Sequence, residues 1–290
     1  MTAPLFQGCA TALLTPFKNG KIDFAAFGRL IDFQLDNGVS ALVACGTTGE
    51  PATMTEQEWE DTLAFTVEKA GGRVPVIAGT GGNNTQAVIE KARRARDLGA
   101  KAQLCVTPFY NKTTQAGLIA HYRAIARDGA LPVIVYNVPA RTGLNMQPAT
   151  LAALAGEENV VAMKEASGNM AQVMEMMRLC DGQIAFYSGA DELTAPIMAM
   201  GAAGVISVLS NIMPRRMAEL AGANVSDAAQ INKELLPLMN CMMMEVNPIP
   251  VKAAASMLGL CKNELRLPLT PISREHKARL KEEMQKAGLL

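Results

Sequence analysis

Val160-Val-Ala-Met-Lys-Glu-Ala166 is a short apolar run closed off by turn residues, with Gly156–Asn159 before it and Ser167-Gly168 after it. A run of that length and boundary reads as a buried strand. Lys164 near its end is the anomaly. Burying an ammonium without a partner costs several kcal/mol, so a lysine placed there tends to shed its proton. A neutral amine is the nucleophile that Schiff-base chemistry requires. The run also permits a plainer reading, a strand-end lysine that reaches water along its own stem.

Runs of the same kind recur along the chain, each followed by a helical pattern. Strands are expected at Cys9–Thr15, Ala41–Cys45, Val74–Ala78, Gln103–Val106, Pro132–Asn137, Val160–Lys164, Ile184–Ser188 and Val205–Leu209. Asp23 caps the first helix, which stops at Asn37-Gly38, and Thr55-Glu-Gln-Glu58 is a capping box for the second. Strands that are apolar throughout, not alternating, are buried on both faces. Eight such β-α units in about 220 residues predict an α/β fold, a (β/α)8 TIM barrel, over a doubly wound sheet with an appended domain. Strand signals stop near residue 224. Ser226–Glu245, Pro248–Leu258 and Ser273–Ala287 read as helices. The expected organisation is a catalytic barrel over 1–224 and a C-terminal helical extension over 225–290.

Composition narrows the function class. Only 4 % of the 290 residues are aromatic and 18 are Met, so packing falls to aliphatic side chains and Met. Lys plus Arg equals Asp plus Glu at 27 each, which gives no electrostatic case for nucleic acid or an anionic membrane. No secretory signal and no apolar run of membrane-spanning length is read. Six cysteines lie scattered without a C-x-x-C pair, against a zinc site and against a disulfide framework, and a reducing cytoplasm is the expected location.

In such barrels the active site forms at the C-terminal strand ends. Those ends carry Gly46-Thr-Thr-Gly-Glu50, Gly79-Thr-Gly-Gly82, Thr107-Pro-Phe-Tyr-Asn111, Tyr136-Asn-Val-Pro-Ala-Arg-Thr-Gly143, Lys164-Glu165 and Ser188-Gly-Ala-Asp191. Glycines let backbone N–H groups approach an anion and the hydroxyls of Thr47 and Thr48 add donors, so this turn suits a carboxylate, or is an ordinary tight turn. Neither glycine-rich turn has the P-loop lysine or the dinucleotide spacing, so no nucleotide cofactor is assigned. Carboxylates are not clustered at strand ends and two lone histidines, His121 and His276, make no metal site, so no metal is assigned. Tyr136 suits proton transfer or is a satisfied core tyrosine. Arg141 suits bidentate binding of a carboxylate or is a solvated loop charge. Met242-Met-Met244 reads as packing filler.

Taken together, Gly46–Glu50, Tyr136–Gly143 and Val161–Ala166 resemble the dihydrodipicolinate synthase family, within the class I aldolase (pyruvate lyase) superfamily. The resemblance extends to Asn247-Pro-Ile-Pro-Val-Lys252 and Leu267-Pro-Leu-Thr-Pro271, and so covers essentially the whole chain. It implies 4-hydroxy-tetrahydrodipicolinate synthesis on the diaminopimelate route to L-lysine. Pyruvate would form an imine on Lys164 and condense with L-aspartate 4-semialdehyde. Tyr136 would move protons, with Thr47 and Tyr110 completing a hydroxyl chain, Tyr110 entering from a neighbouring subunit. Thr48 would hold the pyruvate carboxylate and Arg141 that of the semialdehyde. Gly189 and Ile206 match backbone positions of the pyruvate pocket. The family expectation is a homotetramer, a dimer of dimers. In lysine-inhibited relatives the feedback pocket is polar; here its positions are Glu56, Trp59, Ala87 and Phe109, with Asn83 retained, which implies weak or absent inhibition by L-lysine. The rival within the superfamily is N-acetylneuraminate lyase or another keto-sugar-acid aldolase. These lack the counterpart of Arg141 and tend to carry Ser or Gly at Thr47. A catalytically silent barrel that binds a keto acid is the reading from another class.

Overall fold

Eight parallel strands pair side by side until the last meets the first. The computed structural model describes residues 3–290. The strands are β1 Gly8–Ala12, β2 Ala41–Ala44, β3 Val76–Gly79, β4 Ala102–Val106, β5 Val133–Asn137, β6 Val160–Glu165, β7 Ala185–Ser188 and β8 Gly204–Ser207. Each pairs with its sequence neighbours and β1 pairs with β8, closing the barrel. Closure needs a particular residue at one seam. Gly204 has φ +158°, and a Cβ there would lie 1.9 Å from the Gly8 carbonyl oxygen.

The outer ring is α1 Phe24–Asp36, α2 Glu56–Ala70, α3 Thr85–Asp97, α4 Gln115–Asp128, α5 Pro148–Ala155, α6 Met170–Cys180, α7 Thr194–Ala199 and α8 Pro214–Gly222. Local chemistry sets their starts. Asp23 accepts from the Ala26 N–H at 3.0 Å. Both arms of the Thr55/Glu58 box are made, at 3.1 and 3.0 Å. Such caps satisfy backbone donors that the first turn leaves without partners.

The first strand is shorter than the apolar run, ending at Ala12 and not at Thr15. Beyond it Phe17–Lys18 and Lys21–Ile22 form a two-stranded ribbon. Its turn is Asn19-Gly20 with φ 54° and 76°, the left-handed pair a tight hairpin demands. The dipeptide is a hairpin signal, but its flanking strands are only two residues long, too short to show an alternating pattern.

The barrel interior is filled mostly by small and aliphatic side chains, among them Ala10, Val43, Ile77, Ile134, Ala162 and Ile206. Phe6 stacks on Tyr187 at 4.2 Å between ring centroids, and the Tyr187 hydroxyl donates to the Phe6 carbonyl at 2.8 Å.

Three helices follow, α9 Val225–Met242, α10 Ile249–Met257 and α11 Arg274–Lys286. Helix α9 tolerates Pro237 internally and stops at Met242, three residues before the expected Glu245. Leu235, Met239, Val251, Leu280 and Met284 share one apolar core with Leu30, Leu42, Val205 and Leu220 of the barrel. Residues 225–290 are therefore packed onto the barrel through a common core.

Candidate active site at the barrel mouth

Strand register sets Lys164 of β6 beside Tyr136 of β5 and Tyr187 of β7. Lys164 is 5 % exposed, and its Nζ lies 4.3 Å from the centroid of the Tyr136 ring. Burial pulls its ammonium down to about 8; the Asp191 charge opposes this and the Arg141 guanidinium adds to it. The plainer reading, a lysine reaching water, is thus not what the barrel does with it. Tyr136 is also buried. Burial pushes its phenol up to about 12, against Arg141, which lowers it, and with Glu165, which raises it.

Thr47 and Thr48 occupy the one-turn 3-10 helix Thr47–Gly49 that follows β2. Thr47 is exposed and Thr48 buried, and both line the cavity that contains Lys164, Tyr136 and Arg141. Asn247, from the C-terminal extension, donates through Nδ2 to Thr48 Oγ1 at 3.0 Å. The same residue's carbonyl accepts from Arg141 Nη2 at 3.3 Å. One asparagine therefore ties the threonine turn to the arginine, which sits on the short helix Pro139–Thr142.

Gly189 belongs here for a steric reason. A Cβ at that position would lie 3.0 Å from Lys164 Cε and 2.8 Å from Ala166 Cβ. Ile206 is buried in the interior cluster with Tyr136, and its side chain is not on the cavity wall. Tyr110 is not brought to the cavity within one chain; it is 92 % exposed, with φ +67°.

Sequence reasoning missed three groups. Asp191, in the quoted Ser188–Asp191 stretch, is buried on the cavity wall. Its Oδ2 accepts from the N–H groups of Val208 at 3.0 Å and Leu209 at 2.8 Å. Its Oδ1 has no partner among the described residues. Burial raises its carboxyl, and those N–H groups oppose the rise. Glu50 and Lys252 form a fully buried ion pair. Met242–Met244, read as packing filler, line the cavity together with Met239 and Lys164, and Met243 is 60 % exposed. The carboxylates were visible after their strands, but which of them face inward is not a local property.

A second pocket adjoins, sharing Thr47, Tyr136 and Arg141 and including Phe109, Cys45 and Lys91. Trp59 is buried beside it, its indole N–H donating to the Gly79 carbonyl at 3.2 Å, with the Lys91 ammonium 4.6 Å from the indole ring centroid. Glu56 pairs with Arg94 at 3.1 Å, and Asn83 donates to the Phe109 carbonyl at 3.3 Å. Of the two histidines, His121 is buried against Thr85 and His276 pairs with Glu245 at 2.8 Å.

Chemically the cavity offers an amine near neutrality, a phenol against it, a guanidinium and two hydroxyls. That set can condense a ketone, move a proton and bind two carboxylates.

Comparison with known proteins gives a single pattern. The model of the Dihydrodipicolinate synthetase family matches residues 5–287. A 4-hydroxy-tetrahydrodipicolinate synthase of Alkaliphilus oremlandii is 49 % identical over 99 % of this chain and 100 % of its own length. The solved dihydrodipicolinate synthase of Thermotoga maritima superposes with a TM-score of 0.97 at 42 % identity, covering 99 % of this chain and 100 % of that one. That of Aquifex aeolicus does so at 0.95 and 45 %, covering 98 % and 99 %.

Proposed function

The chain belongs to the dihydrodipicolinate synthetase family, and from that premise we propose how its barrel mouth carries out 4-hydroxy-tetrahydrodipicolinate synthesis. The activity is that of a lyase of the Schiff-base, class I aldolase type. The Lys164 amine adds to the keto carbon of pyruvate and water leaves, giving an imine. Loss of a methyl proton gives an enamine, whose carbon attacks the aldehyde of L-aspartate 4-semialdehyde. The amino group of the semialdehyde then attacks the imine carbon, displaces Lys164 and closes the ring. Tyr136, against the amine, moves the protons, with Thr47 lining the same cavity. Thr48 holds the pyruvate carboxylate, and Arg141 that of the semialdehyde.

The observation that carries this reading is a buried amine, drawn to about 8, sharing one cavity with Tyr136 and Arg141. An arginine there suits a carboxylate-bearing aldehyde better than a sugar. Borohydride reduction with pyruvate should leave an adduct on Lys164, and turnover should be seen with aspartate semialdehyde and not as cleavage of N-acetylneuraminate. An adduct elsewhere, or no adduct, overturns the mechanism; sugar-acid cleavage overturns the substrate.

The exposure of Tyr110, beside half-exposed Phe109, supports a neighbouring subunit into whose site the phenol enters, within a homotetramer. Sedimentation showing monomers with full activity would remove that role. Six buried, unpaired cysteines favour a reducing cytoplasm. Weak or absent lysine inhibition is supported by Ala87, which has no group to pair with an ammonium, and by Phe109, which carries no hydroxyl. Millimolar L-lysine abolishing turnover would refute it.

A further inference from the structure

Glu50 is a backbone anomaly at a decisive place. It joins the 3-10 turn Thr47–Gly49 to the turn Pro51–Thr53, and its φ of 57° and ψ of 40° are left-handed. A residue with a Cβ is strained there and persists only when its surroundings hold it. What holds Glu50 comes from the far end of the chain. Its carboxylate takes the ammonium of Lys252 on α10, and both side chains are fully buried. The second carboxylate oxygen accepts from the Arg266 backbone N–H at 3.2 Å. The Lys252 ammonium also lies 4.3 Å from the centroid of the Phe17 ring.

A buried ion pair is weak evidence for stability, because an apolar pair of similar volume often serves as well; its better-attested use is to select one geometry. Here the geometry selected is that of a turn whose two threonines line the cavity. The extension touches this turn three times, through Lys252 and the Arg266 N–H on Glu50 and through Asn247 on Thr48. Burial pulls the Lys252 ammonium down and the Glu50 charge opposes it.

We propose that the Glu50–Lys252 pair is a positioning device for the keto-acid site: it fixes the turn carrying Thr47 and Thr48, so that the C-terminal extension sets the affinity for the pyruvate carboxylate. This rests on the reading of Thr48 as the group that receives that carboxylate. Neither Glu50 nor Lys252 is a catalytic residue; each acts through the threonines. A purely structural staple predicts something different, a lower melting temperature with unchanged pyruvate affinity.

Two variants of the full-length protein separate these. Lys252→Met removes the ammonium at similar volume and leaves Glu50 unpaired; Glu50→Gln/Lys252→Met removes both charges and with them the cost of an orphaned one. The readout is the pyruvate concentration that half-saturates borohydride trapping on Lys164, taken well below each variant's unfolding transition. The expected result is a rise of about tenfold in both variants (about 1.4 kcal/mol), while trapping at saturating pyruvate stays complete and kcat changes less. The double variant recovers melting temperature without recovering affinity. Half-saturation within about twofold of the parent in whichever variant folds overturns the proposal. Failure of the parent to trap pyruvate on Lys164 would instead overturn the reading of the site on which the proposal rests.

Discussion

The pH dependence of imine formation is set first by the burial of Lys164 and then tuned by the charges of Asp191 and Arg141. An amine at about 8, not its ordinary 10.5, has about 300-fold more free base at any pH well below both values, since each unit is a factor of ten. At pH 7 about one Lys164 in eleven is then a nucleophile, against roughly one in three thousand for an ordinary lysine. Asp191 and Arg141 act on it with opposite sign. Asp191→Asn keeps an oxygen for the Val208 and Leu209 N–H groups, and removes a charge that favours the ammonium. The midpoint of pyruvate trapping against pH should therefore move down. Arg141→Gln removes a charge that disfavours the ammonium, and the midpoint should move up. The assay is the initial rate of cyanoborohydride reduction with saturating pyruvate across roughly pH 6–10, bracketing the expected midpoint, read by intact-mass spectrometry. A parent midpoint close to 10.5, or both variants moving the same way, would refute the electrostatic account.

Three further outcomes follow from particular contacts. Gly189→Ala would set a Cβ 3.0 Å from Lys164 Cε, about 0.5 Å inside ordinary carbon contact. Because a shift of about 1 Å can cost on the order of 100-fold, kcat/KM should fall roughly 10- to 100-fold with the melting temperature little changed; an unimpaired variant would show that the pocket yields freely. Tyr136→Phe should still trap pyruvate but turn over ~10²–10⁴-fold more slowly, and near-parent turnover would remove the phenol from proton transfer. His121 is held neutral, burial having pushed it down to about 4 from 6.5. The unfolded chain then binds the extra proton between those values, so His121 contributes stability above about pH 6.5 that is lost as pH falls to 4, at most about 3 kcal/mol. Melting curves at pH 7 and pH 5 should show a larger acid loss for the parent than for His121→Gln, and equal losses would contradict the assignment.

The barrel was legible because its signal is local. Val160–Ala166 and its seven counterparts are mostly apolar without alternation, so each is buried wherever it pairs, and the intervening caps at Asp23, Thr55 and Thr114 are made by residues within a turn of one another. The site was legible as residue types at strand ends, with Lys164, Tyr136, Thr47, Thr48 and Arg141 now lining one cavity. Its supports were less so. Thr48 and Asn247 meet across 199 positions, and Glu50 and Lys252 across 202, and no periodicity connects such pairs. The Met242–Met244 run joined the cavity wall because α9 ends at Met242 instead of running on.

The sequence by itself determined the alternation of strand and helix and placed one lysine in an apolar run. It left open whether that lysine reaches water, since the same seven residues allow both. Only closure of the barrel decided it: with paired strands on both sides, Lys164 is left 5 % exposed on the cavity wall, and desolvation favours the neutral amine.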